Sequence, residues 1–256
     1  MSVPTSAPDP TLNGAKPDLW LQLRLCYRAV QYRWLKDRAE IAAVLAHVRP
    51  GSLAIDIGAH KGGYTYWLAR GVGRSGKVIA FEPQPLLARK LARCAAADRV
   101  TVVNAAVSDR DSTLPLSVPG DGTSSPGASL ESPAAAGGRT IHVPVVPLDR
   151  FLGARTLPVS FIKIDVEGHE LTVLRGAEAL LRTDHPVLLF ECEQRHHRDR
   201  PIAEVFQYLT GLGYAGWFFD QGKLRPMGEF DPAVHQHDLH AEGYVNNFLF
   251  KPTGGE

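Results

Sequence analysis

An α/β fold on a seven-stranded, mostly parallel sheet with one antiparallel strand is what the sequence predicts, and three observations predict it. Short apolar runs alternate with segments of helical spacing, the rhythm of a parallel sheet with right-handed crossovers. A glycine-rich turn at Gly58, Gly62 and Gly63 joins the first such run to a helical pattern. Acidic residues close several runs, at Asp56, Glu82, Asp165 and Glu191. Ligands of such sheets sit beyond the carboxyl ends of the strands, so chemistry is to be sought at these positions.

The 256 residues suffice for one domain with a full core. The 28 Lys and Arg nearly cancel the 27 Asp and Glu, so no overall field points to nucleic acid. Cys26, Cys94 and Cys192 have no zinc-like spacing and read as small core residues in a reducing compartment. No apolar run approaches the ~18 residues that span a bilayer. Residues 1–18 lack a secretion-type apolar core and read as a disordered tail, as do 252–256. That leaves 19–251 as a single domain, expected in the cytoplasm.

Residues 19–48 read as an N-terminal helical cap broken once, with Trp20, Leu23, Tyr27, Val30 and Trp34 on one face. The preferred reading packs that face over the domain. Because Arg24, Arg28, Arg33, Lys36 and Arg38 lie among these residues, peripheral contact with a membrane surface or a partner is the other reading. Strands at 53–57, 77–81 and 100–104, with helices from 64 and over 85–97, then form a βαβαβ unit. Segments 111–118 and 140–146 alternate apolar with polar residues and form a hairpin-like pair around 119–139, a flexible loop insertion. So long a loop of small residues is a mobile lid or an unselected insertion, and the second is preferred. The rhythm resumes with a strand at 161–165, a helix at 170–181, a strand at 187–191, a helix at 202–212 and a strand at 214–219. After a polar loop to 242, the strand 244–251 follows without an intervening helix, which makes it antiparallel at that end of the sheet.

A nicotinamide site wants G-x-G-x-x-G around a pyrophosphate, whereas here the order is Asp56-x-Gly58-x-x-x-Gly62. A ligand with a ribose and an ammonium but no phosphates fits better. Glu82, in Phe81-Glu82-Pro83 one crossover later, is placed to accept from ribose hydroxyls. Asn104, ending the third strand, lies where an adenine edge would come, or is simply a turn residue. Asp165 and Glu191, ending adjacent strands, are placed to orient or deprotonate an acceptor or to hold a divalent cation. Glu167 reads equally as a helix cap. His196 and His197, just past the strand at 187–191, are candidate general bases. His235, His237 and His240 invite a zinc reading but fit no recognised ligand spacing, and an exposed polar loop accounts for them.

In order along the chain, LAIDIGAHKGGYT, FEPQP, NAAVSD, LDRFL, FIKIDVEGHELTVLRGAEALL, FECE and NNFLF resemble the FkbM-type S-adenosylmethionine-dependent methyltransferases, over about residues 53–250. The resemblance implies a class I methyltransferase (Rossmann-like) three-layer αβα sandwich with S-adenosyl-L-methionine as cofactor. It also implies O-methylation of a hydroxyl on a sugar, polyketide, lipid or related metabolite, so the acceptor is a small molecule or is glycan- or lipid-linked. Asp56, Gly58 and Glu82 match the family's cofactor motifs, and Asp165 its acidic strand-four position. His60 stands where many members carry Asn, so no cofactor contact is assigned to it. Two other readings stay open: a non-catalytic binding module on the same fold, and an NAD-dependent oxidoreductase, which the glycine spacing disfavours.

Overall fold

The computed structural model describes residues 10–12, 16–120, 127–131, 137–197, 200–241 and 243–254. Helix α1 (Leu19–Gln31) passes through a π-helical turn (Tyr32–Lys36) into α2 (Arg38–His47). Then come β1 (Leu53–Ile57), α3 (Gly63–Val72), β2 (Lys77–Phe81), α4 (Pro85–Cys94), β3 (Val100–Val103) and β4 (Ala106–Ser108). The middle of the chain holds β5 (Ser112–Val118), β6 (Arg139–Pro147), α5 (Leu148–Leu152), β7 (Val159–Ile164), α6 (Glu170–Arg175) and α7 (Glu178–Asp184). It ends with β8 (Val187–Glu191), α8 (Ala203–Gly211), β9 (Tyr214–Asp220), β10 (Lys223–Pro226), α9 (Pro232–His235) and β11 (Asn247–Pro252).

The main sheet has eight strands, in the order β10-β9-β11-β8-β7-β1-β2-β3. β1, β2, β3, β7 and β8 are parallel, and β11 is antiparallel to both β8 and β9. Seven strands were expected. The eighth, β10, turns back from β9 through Gln221 and Gly222, both at positive φ. It is short and exposed, so no apolar alternation announces it. β11 is also not at the end of the sheet, because it inserts between β8 and β9. The expected hairpin is present, with β5 antiparallel to β6, and β4 joins it as a parallel third strand.

Strand periodicity sorts the core into two layers. Leu53, Ile55 and Ile57 of β1 face one cluster, which Leu171, Leu174, Leu181 and Val205 of α6, α7 and α8 complete. Ala54 faces the other, with Val44 of α2, Leu68 of α3 and Leu91 of α4. The expected helix at 170–181 is two helices that part at Gly176, where a Cβ would lie 1.9 Å from the Ser108 carbonyl oxygen. The chain crosses from one side of β1 to the other between β3 and β7, which opens the ligand crevice at the β1/β7 carboxyl ends.

Three expectations about the periphery change. Residues 10–12 do not behave as a tail: Leu12 N–H donates to Val102 O and Asn104 N–H to Pro10 O. At the other end β11 runs through Pro252, and Thr253 N–H donates to Gly213 O. The cap helix does pack over α3 and α4, but by Leu25 and Ala29, while Trp20, Leu23, Tyr27, Val30 and Trp34 face outward. The reason is close approach. A Cβ on Gly62 would come within 3.0 Å of Leu25, and one on Gly63 within 3.0 Å of the Tyr32 ring, so the face bearing Leu25 and Tyr32 is the one seated on the turn. Of the cysteines only Cys192 is fully buried, and Cys26 is exposed.

Candidate active site

The turn after β1 is fixed by three residues in the left-handed region, Gly58, His60 and Gly62. Gly58 has no alternative, because a Cβ there would sit 1.9 Å from the Asp165 carbonyl oxygen. Its N–H and that of Ala59 donate to Phe81 O, and Asp165 N–H donates to Ile57 O, tying the ends of β1, β2 and β7 together. Glu82 is 2% exposed and accepts from His60 N–H at 2.7 Å and Gln84 N–H at 2.8 Å. Burial outweighs those bonds and pushes its pKa up to about 7. Glu82 lines a cavity of about 700 Å³ including its open mouth. Phe81, Ala105, Val107, Leu116, Ala128 and Leu130 wall that cavity with apolar surface.

Asn104 is not among the cavity's lining residues. Its amide donates to the Glu82 and Pro83 carbonyls at 2.9 and 3.0 Å, so it clamps the loop that presents Glu82. The turn-forming reading prevails there, because two carbonyls of a turn without free donors claim its NH2. The 119–139 segment is likewise more than an insertion where it is described. Ser129 exchanges two backbone hydrogen bonds with Ser117, and its hydroxyl donates to Glu167 O at 2.8 Å. The Glu131 carboxylate meets His169 Nδ1 at 2.5 Å, and the imidazole's hydrogen bond holds that carboxyl below its ordinary range. Residues 127–131 therefore roof the apolar cavity, while 121–126 and 132–136 lie outside the described residues.

A second, polar cavity opens on the other side of Gly58, His60 and Asp165, which line both. Strand register builds it. Asp56 pairs in register with Lys163, and Glu191 with Asn247, so the alternation that sends Ile57, Ile164 and Phe190 to one layer sends these polar side chains to the other. Asp56 is buried and accepts from the Thr65 hydroxyl at 2.5 Å, and burial raises its pKa to about 6. Lys163 is 2% exposed; its ammonium donates to Ile164 O at 3.1 Å, stands 4.0 Å from the Asp165 carboxylate and lies over the Tyr64 ring. The Asp165 side chain keeps 38% of its surface open to the cavity. Enclosure by protein nevertheless raises its pKa, against the pull of Lys163. Glu191 is raised too, by burial and then by the charge of Asp165. The wall toward the N-terminal helix comes from Tyr32, Lys36 and Asp37, whose carboxylate accepts from Tyr64 at 2.8 Å.

The histidines fall elsewhere. The short 3₁₀ turn Gln194–His196 carries His196 onto Glu167, at 3.0 Å, and His197 onto the buried Glu170, at 2.8 Å. Both line a separate recess with Thr172 and Glu204, because the chain turns away from the cavity immediately after β8. His235 packs against Phe218 and Phe230, and its ring nitrogen bonds Asp231 O. Among the described residues, donors close enough for one metal ion are Glu170, Cys192 and His197, or Glu167, Glu193 and His196. Neither set contains Asp165 or Glu191, and a cation between those two would adjoin the Lys163 ammonium.

Two residues went unassigned in the sequence. Lys163 was legible as a lone cation inside VSFIKI, a strand otherwise suited to full burial. His60 lines both cavities; burial lowers its pKa to about 4, and its Nε2 is buried with no hydrogen-bond partner among the described residues. Its signal in the sequence was a histidine set inside the Gly58–Gly62 turn, a turn the structure shows to hold it at left-handed φ.

Comparison with known proteins bears on this geometry. Residues 56–215 match the model of the methyltransferase FkbM domain. No curated protein sequence matches the chain. Among solved structures, a methyltransferase FkbM from Methylobacillus flagellatus aligns with a TM-score of 0.48 at 16% identity, over 93% of this chain and 56% of that one. An O-methyltransferase from Bacillus cereus in complex with SAH gives 0.48 at 15%, over 91% and 90%. A SAM-dependent O-methyltransferase from Thermotoga maritima gives 0.45 at 17%, over 87% and 67%. The chain thus spans little more than half the length of the Methylobacillus protein. The family match covers well over half of this chain, including the β1 turn, Glu82, Asp165 and Glu191, and the chain belongs to the FkbM methyltransferase family.

Proposed function

We propose that this protein transfers the methyl group of S-adenosylmethionine to a hydroxyl oxygen of a sugar, polyketide, lipid or related metabolite. The observation that carries the reading is the meeting of an apolar cavity bearing Glu82 with a polar cavity bearing Asp165, across the Gly58 turn. The residues present suit the cofactor. Each Glu82 oxygen has one backbone donor and room for a second, which ribose hydroxyls supply. The apolar wall suits an adenine face, and the unpartnered Nε2 of neutral His60 suits the amino-acid end. S-adenosylmethionine supplies an electrophilic methyl on a sulfonium.

The chain's own residues do the rest. Asp165 is the proposed base, taking the acceptor's hydroxyl proton at its carboxylate. A raised pKa brings it toward the working pH, where such a base is most effective, and this type of catalysis contributes roughly 10²–10⁴-fold. Lys163 holds Asp165 in place by charge, and Glu191, whose carboxyl is pushed up by burial and by the neighbouring Asp165 charge, donates a hydrogen bond to the acceptor. Orientation of the acceptor oxygen by the polar wall supplies much of the remaining rate. His196 and His197 take no part in this scheme.

The test is a screen for transfer of radiolabelled methyl into metabolite fractions. Label recovered as a methyl ether of a former hydroxyl supports the reading. Label on nitrogen or sulfur overturns O-transfer, and cofactor binding with no incorporation in any fraction favours the non-catalytic module.

A further inference from the structure

The N-terminal segment leaves an apolar stripe in water. Leu19, Trp20, Leu23, Tyr27, Val30 and Trp34 recur at three- and four-residue spacing along α1 and the π-turn, and every one is more than half exposed, Trp20 at 69% and Trp34 at 60%. Leu25 and Ala29, on the opposite face, already anchor the helix to the domain. The outward stripe therefore adds nothing to the fold and is large enough to be a contact surface.

Charge selects the occupant. From Leu19 through Lys36 the chain holds Arg24, Arg28, Arg33 and Lys36 and no acidic residue. Arg33 lies over the Trp34 ring at 5.4 Å, which keeps a cation beside the apolar stripe, while Lys36 lies over the inward Tyr32 ring and Arg28 donates to Lys61 O. Two copies meeting through this face about a two-fold axis would oppose cation to cation with no carboxylate from the segment between them. An anionic lipid surface accepts both features at once: aromatic and aliphatic side chains enter the acyl boundary, indoles rest at headgroup level, and arginines meet lipid phosphates.

We infer that the outward face of α1 and the π-turn docks the protein on an anionic membrane surface. The same turn supplies Tyr32, Lys36 and Asp37 to the wall of the polar cavity, so docking sets that wall beside the lipid–water boundary. An acceptor with a hydroxyl-bearing head and an apolar anchor suits that placement. This last step rests on the proposed function, whereas the docking does not.

Co-sedimentation of the full chain with phosphatidylcholine vesicles containing about one third phosphatidylglycerol, and with pure phosphatidylcholine vesicles, tests the docking. Binding is expected to the anionic vesicles, at least tenfold tighter than to the neutral ones, with a blue shift of tryptophan emission and weakening at high salt. The combined change Trp20→Ser, Leu23→Ser and Trp34→Ser is expected to remove the emission shift and weaken binding at least tenfold, and Arg24→Glu with Arg33→Glu to do so on anionic vesicles. S-adenosylhomocysteine affinity, measured on the same variants, should stay at the parent value and show that they fold. The inference falls if the parent protein ignores anionic vesicles, if the serine variant binds them equally well, or if light scattering shows a dimer that the serine variant dissolves. A protein that binds vesicles but methylates no hydroxyl would overturn the proposed function and leave the docking standing.

Discussion

Replacing Glu82 with Gln tests the donor half of the site at one atom. The carboxylate has two jobs: each oxygen accepts a backbone N–H, from His60 and Gln84, and the remaining lone pairs face the apolar cavity. A glutamine keeps one acceptor oxygen but turns an NH2 toward the other N–H, which costs about 1–3 kcal/mol in the folded protein. It also removes a carboxyl whose pKa rises from an ordinary 4.5 to about 7, chiefly by burial. That group's contribution to stability is fully present below about pH 4.5 and is lost as pH climbs toward 7, because the unfolded chain releases its proton first. The two effects oppose each other near pH 8, so melting temperature is a poor readout and affinity a good one. A charge-assisted hydrogen bond contributes about 1.5–3 kcal/mol, which predicts S-adenosylhomocysteine binding weakened roughly 10- to 150-fold at about pH 8. Ribose hydroxyls donate, so binding favours the ionised carboxylate. Parent affinity should therefore rise with pH through about 7, and the variant should lack this component. Titration calorimetry at several pH values decides it. Equal affinities, or the same pH dependence in both proteins, would refute the ribose assignment.

Other predictions follow from the same geometry. Gly58→Ala meets both a left-handed φ, at about 1–2 kcal/mol, and the Asp165 carbonyl 1.9 Å away; cofactor affinity should fall more than tenfold with a lower melting temperature, and parent-like values of both would contradict the close approach. Lys163→Met removes the cation that lowers the Asp165 pKa, so the rising limb of the methyl-transfer pH profile should move to higher pH. An unmoved limb with normal kcat leaves Lys163 without a catalytic connection. His197→Ala strands the buried Glu170 carboxylate and should destabilise by about 1–3 kcal/mol, read by thermal melting, while KM for the cofactor holds. A loss of kcat with unchanged melting would return His197 to the chemistry.

Local pattern determined much of this protein. The β1 run, the Gly58 turn and the Glu82 strand end were readable because glycine in a tight turn and an acid closing an apolar strand are short-range signals. The FIKIDVEGHE segment was readable for the same reason, and its Asp165 does line both cavities. Exposed β10 gave no such signal, since its pairing comes from a turn and a neighbouring strand.

Tertiary structure decided what periodicity leaves undirected. A helical stripe shows that residues share a face, and only the seating of Leu25 and Tyr32 on Gly62 and Gly63 made that face the outer one. Asn104 and the His196–His197 pair stand near the strand ends in sequence, yet partners distant in sequence turn their side chains to other work. Register between β1, β7 and β8, which no single strand encodes, set Asp56, Lys163 and Glu191 around one polar space. The sequence by itself thus determined which strand ends carry charge. Strand pairing, through the period-two alternation of side chains across the sheet, decided which of those charges meet.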